Sequence, residues 1–153
     1  MRTGWKNALE RGFNWALCLD GDGQHAVEDI PAFLCRAEKN GAALVIGNRM
    51  QATQAMPWLR QSVNRWMSER LSRVAGRPLP DSQCGFRLLN LKAWSRLSLK
   101  TTRFEIESEL LLAFLSAGEK VEFVPIRTIY KGEPSKIQPL RDTLRWFKWW
   151  WNR

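Results

Sequence analysis

A short apolar run, WALCL, ends at Leu19 in two aspartates set one glycine apart, Asp20-Gly21-Asp22, followed by Gly23-Gln24-His25. The run has the length of a buried strand. On an extended backbone Asp20 and Asp22 point to the same side, because side chains repeat every two residues. Two carboxylates on one face repel each other unless a cation sits between them. Gly21 and Gly23 leave the flanks bare, so a bulky group can approach the backbone.

Three chemistries compete for this stretch. Asp and Gly are turn residues, so a polar turn after a strand is one. A calcium loop of the EF-hand type fails on register. Counted from Asp20, the glycine demanded at the sixth position is His25 and the glutamate at the twelfth is Pro31. The third is a metal–diphosphate site at the carboxyl end of a strand, where open α/β sheets bind ligands. A hard divalent cation takes carboxylate oxygens and keeps positions open for phosphate.

The rest of the chain supplies a frame for that site. Thr3 to Arg11 has a helical pattern closed by Gly12, and Glu28 to Asn40 a second, with Pro31 in its first turn and Gly41 just beyond. Ala42 to Ile46, AALVI, is a second buried strand running into Gly47-Asn48-Arg49. Strand, helix and strand within about thirty residues form a parallel unit. Arg49 therefore emerges at the same sheet edge as Asp20 and Asp22, as a ligand-binding group or as a solvated loop arginine. Trp58 to Ala75 carries Val63, Trp66, Met67, Leu71 and Val74 on one face, while Arg60, Arg65, Arg70 and Arg73 fall mainly elsewhere. It is a surface helix packed on the sheet, or one lying on an anionic membrane.

After Asp81-Ser82-Gln83-Cys84-Gly85-Phe86-Arg87, Leu88-Leu89 is a short strand and Leu91–Leu97 a short helix. Glu105, Glu107 and Glu109 precede LLLAFL, and a helix's first turn favours acids. Val121 to Tyr130 alternates as a strand, with Pro125 arguing for an edge or bulge. Lys131 to Lys136 is a basic loop that can close over a phosphate. Leu140 to Trp151 is a helix with aromatic residues nearly all round its last turn, a composition suited to interfacial anchoring.

Composition narrows the partners. Lys and Arg number 24 against 15 acids, a net charge of +9, which favours anionic partners. There are 9 Trp and 1 Tyr, and Trp suits surfaces where an apolar body meets a wet edge. Cys18, Cys35 and Cys84 match no zinc spacing and no disulfide framework, which points to a reducing compartment. No stretch is long and apolar enough to span a bilayer. A noncatalytic basic module for nucleic acid or membrane is compatible with these totals. The Asp20–Asp22 cluster would repel a nucleic-acid backbone, so no nucleic acid is expected.

These pieces, in this order, resemble the family 2 glycosyltransferases, in the branch of polyprenyl-phosphate (dolichyl-phosphate) sugar transferases. The resemblance is carried by Asp20-Gly21-Asp22-Gly23-Gln24-His25, Gly47-Asn48-Arg49, Cys84-Gly85-Phe86-Arg87, Glu105-Ile106-Glu107-Ser108-Glu109, Val124-Pro125-Ile126, and Tyr130 with Ser135-Lys136. It implies an α/β fold of the GT-A type over residues 1–139 and an amphipathic helix, a possible membrane anchor, over 140–153. It implies a UDP- or GDP-linked nucleotide sugar as donor, a polyprenyl phosphate as acceptor, and inversion at the anomeric carbon. Mg²⁺ or Mn²⁺ is expected at Asp20, Asp22 and Gln24. Arg49 and Arg87 match positions that hold the acceptor phosphate, and Ser135 and Lys136 a loop near donor and acceptor. Glu107 matches an acidic position near the acceptor side, and with Asp22 it is the expected catalytic residue. The expected location is the cytoplasmic face of a membrane, peripherally bound.

One departure stands out. The family begins with a strand, helix and strand carrying an Asp-Asp-Gly-Ser motif that binds the nucleoside, and this sequence does not contain them. The expectation is a fragment or truncated product, inactive toward nucleotide sugar by itself, or an inactive remnant of a transferase.

Overall fold

The computed structural model describes residues 1–51, 53, 56–101, 105–129 and 139–151. Helix α1 (Arg2–Glu10) leads into strand β1 (Trp15–Cys18). A 3-10 turn (Val27–Asp29) opens helix α2 (Ile30–Asn40), followed by strand β2 (Leu44–Asn48) and helix α3 (Trp58–Ala75). Strand β3 (Arg87–Asn90) passes into the one-turn helix α4 (Leu91–Trp94). Helix α5 (Glu105–Ser116), strand β4 (Val121–Pro125) and helix α6 (Pro139–Trp151) complete the order.

The four described strands form one mixed sheet in the order β1-β3-β2-β4. β3 runs antiparallel to both β1 and β2, while β2 and β4 are parallel. β1 and β2 thus point the same way, as the strand–helix–strand spacing predicts, but β3 lies between them. Arg87 faces Cys18 on one side and Ile46 on the other. This register brings Asp20, Arg49 and the segment before Arg87 to one edge of the sheet. Pro125 ends β4 on an outer strand, where its missing N–H breaks no ladder.

Every residue of β2 is buried, so the sheet is covered on both faces there. Phe33 of α2 packs against Phe86 with ring centroids 4.4 Å apart, and α3 and α5 pack on each other. Met67 and Leu71 carry the inward face of α3. Val74, placed on that face by the helical pattern, is exposed, while its neighbour Ala75 packs on the core.

Three expected boundaries shift. β2 starts at Leu44 rather than Ala42 and continues through Gly47 and Asn48, which pair with Val124 and Pro125. The predicted strand to Tyr130 stops at Pro125, after which Thr128 makes a single bridge to His25. The helix expected to reach Leu97 is one turn long, capped by the Asn90 side chain, which accepts from the Ala93 N–H at 2.9 Å. The expected aromatic anchor also changes character. Trp146 is only 2% exposed, packed edge-on to Trp66 of α3 and stacked on Trp150, whereas Trp151 is 87% exposed. Helix α6 therefore docks one aromatic face on the body and leaves another outside.

Candidate active site

β1 ends at Cys18, two residues before the first aspartate. Asp20 and Asp22 consequently sit in a turn rather than along an extended strand. The Gln24 N–H donates to Asp22 Oδ1 at 3.0 Å, a local turn bond characteristic of Asp. Gly23, at φ 68°, supplies the left-handed residue that the turn requires. Both carboxylates are exposed and Gln24 is half-buried.

Asp20 is fixed from two sides. Its N–H donates to Nδ1 of the buried His25 at 3.2 Å, which leaves that imidazole's proton on Nε2, 4.0 Å from Asp20 Oδ2. His25 stacks on Phe86, and burial lowers its pKa, so the ring is held neutral. On the other side lies the bare Cα of Gly85. A Cβ there would fall 2.9 Å from both carboxylate oxygens of Asp20, so any other residue would push the carboxylate out of this position.

The two arginines expected at the acceptor phosphate are both internal. Arg49, 5% exposed, makes a bidentate pair with the fully buried Asp81, Nε to Oδ2 and Nη2 to Oδ1, each at 2.8 Å. Its N–H also donates to Asp81 Oδ2 at 3.1 Å. Burial opposes the Arg49 charge, but the bonds and charge of Asp81 outweigh it and raise the pKa. Arg87, 3% exposed, donates to three carbonyls: Cys84 from Nε at 2.6 Å, Glu107 from Nη1 at 2.6 Å and Ser82 from Nη2 at 2.8 Å. These bonds use two of the five side-chain N–H groups of Arg49 and three of those of Arg87.

Glu107 is half-buried at the start of α5, within electrostatic reach of Arg87, Asp20, Arg49 and Asp81. Burial pushes its pKa up to about 7, with Asp20 and Asp81 adding to the rise and the two arginines opposing it. Cys84 is fully buried, and burial drives its thiol up to about 12, so it is inert packing. Ser135 and Lys136 lie outside the described residues. The chain does pass the aspartate turn before reaching them, since the Ile129 N–H donates to the Gln24 carbonyl at 2.9 Å.

Two further polar side chains lie on α3. Arg60 is half-buried in the first turns of α3, within electrostatic reach of His25, and has no partner among the described residues. One turn on, Asn64 is 8% exposed and its Nδ2 likewise lacks an acceptor. A further turn along, Ser68 Oγ meets Ser82 Oγ at 3.0 Å. Arg60, Asn64 and Ser68 follow an i, i+4, i+8 stripe beside the apolar face of α3, so they share one side of the helix. That polar stripe was the available sequence signal for Arg60 and Asn64, and reading the helix as apolar against basic obscured it.

Among the described residues, no group of three or more His, Cys, Asp or Glu gathers into a metal cage. The donor set fits a different mode. Mg²⁺ and Mn²⁺ are commonly held by one or two carboxylates plus substrate phosphates, and Asp20 and Asp22 present exposed oxygens beside a glycine that keeps the space open.

With that geometry in place, comparison with known proteins identifies the family. The family model for glycosyl transferase family 2 matches residues 1–97. The chain belongs to that family. It is similar to the UDP-N-acetylglucosamine–dolichyl-phosphate N-acetylglucosaminyltransferase of Methanococcus voltae, 32% identical over 133 residues, covering 84% of this chain and 53% of the relative. The glycosyltransferase AglJ of Haloferax volcanii is 28% identical over 133 residues, covering 84% and 43% respectively. The chain thus spans about half the length of these relatives. Its mixed α/β sheet accords with the GT-A fold of the family 2 transferases.

Two expected outcomes test this electrostatic framework. Asp81→Asn preserves shape but strands a buried guanidinium, and should destabilise the chain by about 3–5 kcal/mol in urea unfolding. The double variant Arg49→Met/Asp81→Leu should recover much of that loss. A cost below about 1 kcal/mol for Asp81→Asn would mean that the pair is not buried in solution.

Glu107 makes a prediction with the opposite sense. Its folded pKa lies above the ordinary 4.5, so ionisation costs the folded chain more than the unfolded one. Its contribution is intact below about pH 4.5 and lost as pH rises through about 7, an effect of order 3 kcal/mol. Glu107→Gln should therefore gain melting temperature relative to the parent chain between about pH 5 and pH 8. A gap that does not change with pH would show that the carboxyl is solvated.

Proposed function

We propose that this chain carries metal–diphosphate and acceptor-phosphate groups of a metal-assisted glycosyltransferase that moves a sugar from a nucleoside diphosphate to a polyprenyl phosphate, with inversion at the anomeric carbon. The observation that carries the reading is the exposed Asp20 carboxylate lying against Gly85 at the sheet edge where Arg49 and Arg87 hold the 81–87 segment, with Arg60 within electrostatic reach of the neighbouring His25. The Methanococcus relative takes UDP-N-acetylglucosamine and dolichyl phosphate by name, which makes a UDP-linked donor the first to try.

The division of labour follows from charge. Asp20 and Asp22 would hold Mg²⁺ or Mn²⁺, with Gln24 beside them. When bound, the ion supplies the positive charge that a departing diphosphate requires. The nucleophile is an acceptor phosphate oxygen, already largely ionised near neutrality because its second pKa is about 6. No strong general base is needed. Arg60 and Asn64 would bind and aim that phosphate, Arg60 through its planar fork and Asn64 through its amide N–H. With its pKa raised to about 7, Glu107 is partly protonated near neutrality, which lessens its repulsion of the incoming dianion. Arg49 and Arg87 would contribute by fixing the loops under these groups.

The acceptor's lipid places the reaction at a membrane surface. Trp58 (76% exposed) and Leu59 begin α3, and Phe147 and Trp151 lie on α6, all exposed. Trp66 and Phe147, 4.8 Å apart, join the two helices. Exposed aromatic residues beside arginines and lysines suit an anionic bilayer surface. The paired substitution Trp58→Ser/Trp151→Ser should release the chain from phosphatidylglycerol vesicles in a sedimentation assay, leaving the fold intact. Undiminished sedimentation would remove this face as the attachment surface.

The substrate reading is tested by calorimetry on the full chain with farnesyl phosphate and, separately, UDP-N-acetylglucosamine with Mn²⁺. Arg60→Ala removes a charge-assisted contact of about 1.5–3 kcal/mol, so farnesyl phosphate should bind roughly ten- to a hundredfold more weakly. Asp22→Asn should abolish the Mn²⁺-dependent response and leave farnesyl phosphate binding unchanged. Equal farnesyl phosphate affinity in parent and Arg60→Ala would sink the acceptor assignment.

A further inference from the structure

A buried polar contact of Trp146 ties helix α6 to the site. The indole Nε1 of Trp146 donates to Ser108 Oγ at 2.9 Å, and neither residue is solvent-accessible to any extent that matters, at 2% and 0% exposed. An indole nitrogen donates only, so Ser108 must accept. The same oxygen also accepts from Gln83 Nε2 at 2.9 Å. Gln83 Nε2 in turn donates to Ser82 Oγ at 2.9 Å, and Ser82 Oγ meets Ser68 Oγ on α3 at 3.0 Å. The Ser82 N–H donates to Ser68 Oγ at 2.9 Å. One run of hydrogen bonds therefore ties α6 to α5, to the 81–87 segment and to α3.

Both ends of this run adjoin acceptor-side groups. Ser108 follows Glu107, whose carbonyl takes the Arg87 guanidinium. Ser82 follows Asp81, the partner of Arg49, and Ser68 lies one turn from Asn64. The metal side is linked differently. Asp20 touches the 81–87 segment at Gly85, outside the run, and is otherwise held by His25.

We propose that Trp146 is a positioning residue for the acceptor side, setting the 81–87 segment and the Asn64 face of α3 through Ser108 and Gln83. This rests on the acceptor reading above for its functional part. An alkyl or phenyl side chain at 146 would fill only part of that space and would offer Ser108 no donor. A buried network has two stable conditions, fully satisfied or broken, because low polarity makes a missing partner costly. Trp146 is the α6 member of that network, so the seating of α6 governs the acceptor side more than the donor side.

The test is hydrogen–deuterium exchange on the full chain, with the two calorimetric titrations run in parallel. Trp146→Phe keeps an aromatic ring but loses the N–H donor and part of the indole's buried volume, whereas Ser108→Ala breaks the same bond with almost no change in packing. Trp146→Phe should speed amide exchange in residues 81–87 by about tenfold or more while leaving β2 protected. Farnesyl phosphate binding should weaken at least about fivefold, with Mn²⁺-dependent UDP-N-acetylglucosamine binding within about twofold of the parent. Ser108→Ala, which removes the acceptor instead, should give the same pattern, and it decides the matter if Trp146→Phe does not fold. Phe147→Leu, a packing change on the same helix, should leave residues 81–87 as they were. Unchanged exchange at 81–87 in both Trp146→Phe and Ser108→Ala would overturn the proposal, as would an equal loss of both ligands. If the parent chain binds no farnesyl phosphate, the acceptor reading fails, and the exchange comparison still decides whether Trp146 positions the segment.

Discussion

The buried ion pair between Arg49 and Asp81 is the contact on which the site's geometry depends. It joins the carboxyl end of β2 to a segment 32 residues later with two parallel hydrogen bonds and a third from the backbone. An unpaired guanidinium at that depth would be costly enough to reopen the loop, so the pair acts as a condition of closure. From Asp81 onward, nearly each residue is then tied to a different element. Ser82 binds α3, Gln83 binds α5, the Ser82 and Cys84 carbonyls bind Arg87, and Gly85 makes room for Asp20. The chain has little regular structure between Gly76 and Arg87, and the side chains supply the rigidity that a ladder would otherwise give.

Charge is sorted by depth. The arginines nearest the sheet edge are consumed in holding loops, and their countercharges are an aspartate and backbone carbonyls. The carboxylates of Asp20 and Asp22 stay exposed, and Arg60 has no partner among the described residues; these are the groups assigned to ligands in the reading proposed above. Preorganisation of this kind lowers the cost of binding, because the groups that face a ligand are mounted on side chains that do not have to move. The raised pKa of Glu107 fits the same sorting. A carboxyl crowded by two other carboxylates and removed from water remains partly protonated near neutrality even with two arginines in reach.

The parts of this arrangement that were legible in the sequence are those encoded locally. The 18-residue helix Trp58–Ala75 carries enough turns of apolar repeat to define both its ends. The common direction of β1 and β2 follows from the helix between them. Asp20 and Asp22 announce themselves by type and spacing, although the turn that holds them depends on Gly23 and on His25, whose roles need the fold. Long-range pairing was illegible. Nothing near Arg49 in the chain distinguishes an arginine aimed at a ligand from one aimed at Asp81, and Arg87 takes carbonyls that no sequence pattern marks. The position of β3 between β1 and β2 is likewise a tertiary fact, set by its own register against both neighbours.

Helix α6 illustrates how one composition can serve two environments. Aromatic residues all round a helix suggest a single apolar setting, yet Trp146 is enclosed by Trp66, Trp149 and Trp150 while Trp151 stands in solvent. Tryptophan allows both, because its large apolar body packs while its one N–H demands an acceptor. Inside the protein that acceptor is Ser108, next to Glu107. At a membrane surface it would be a headgroup or water. The residues that face outward and those that reach the acceptor side thus share one rigid helix. Under the membrane reading proposed above, a force that seats the outer face would also load the Trp146–Ser108 bond, a route from a lipid surface to the 81–87 segment that requires no change of fold.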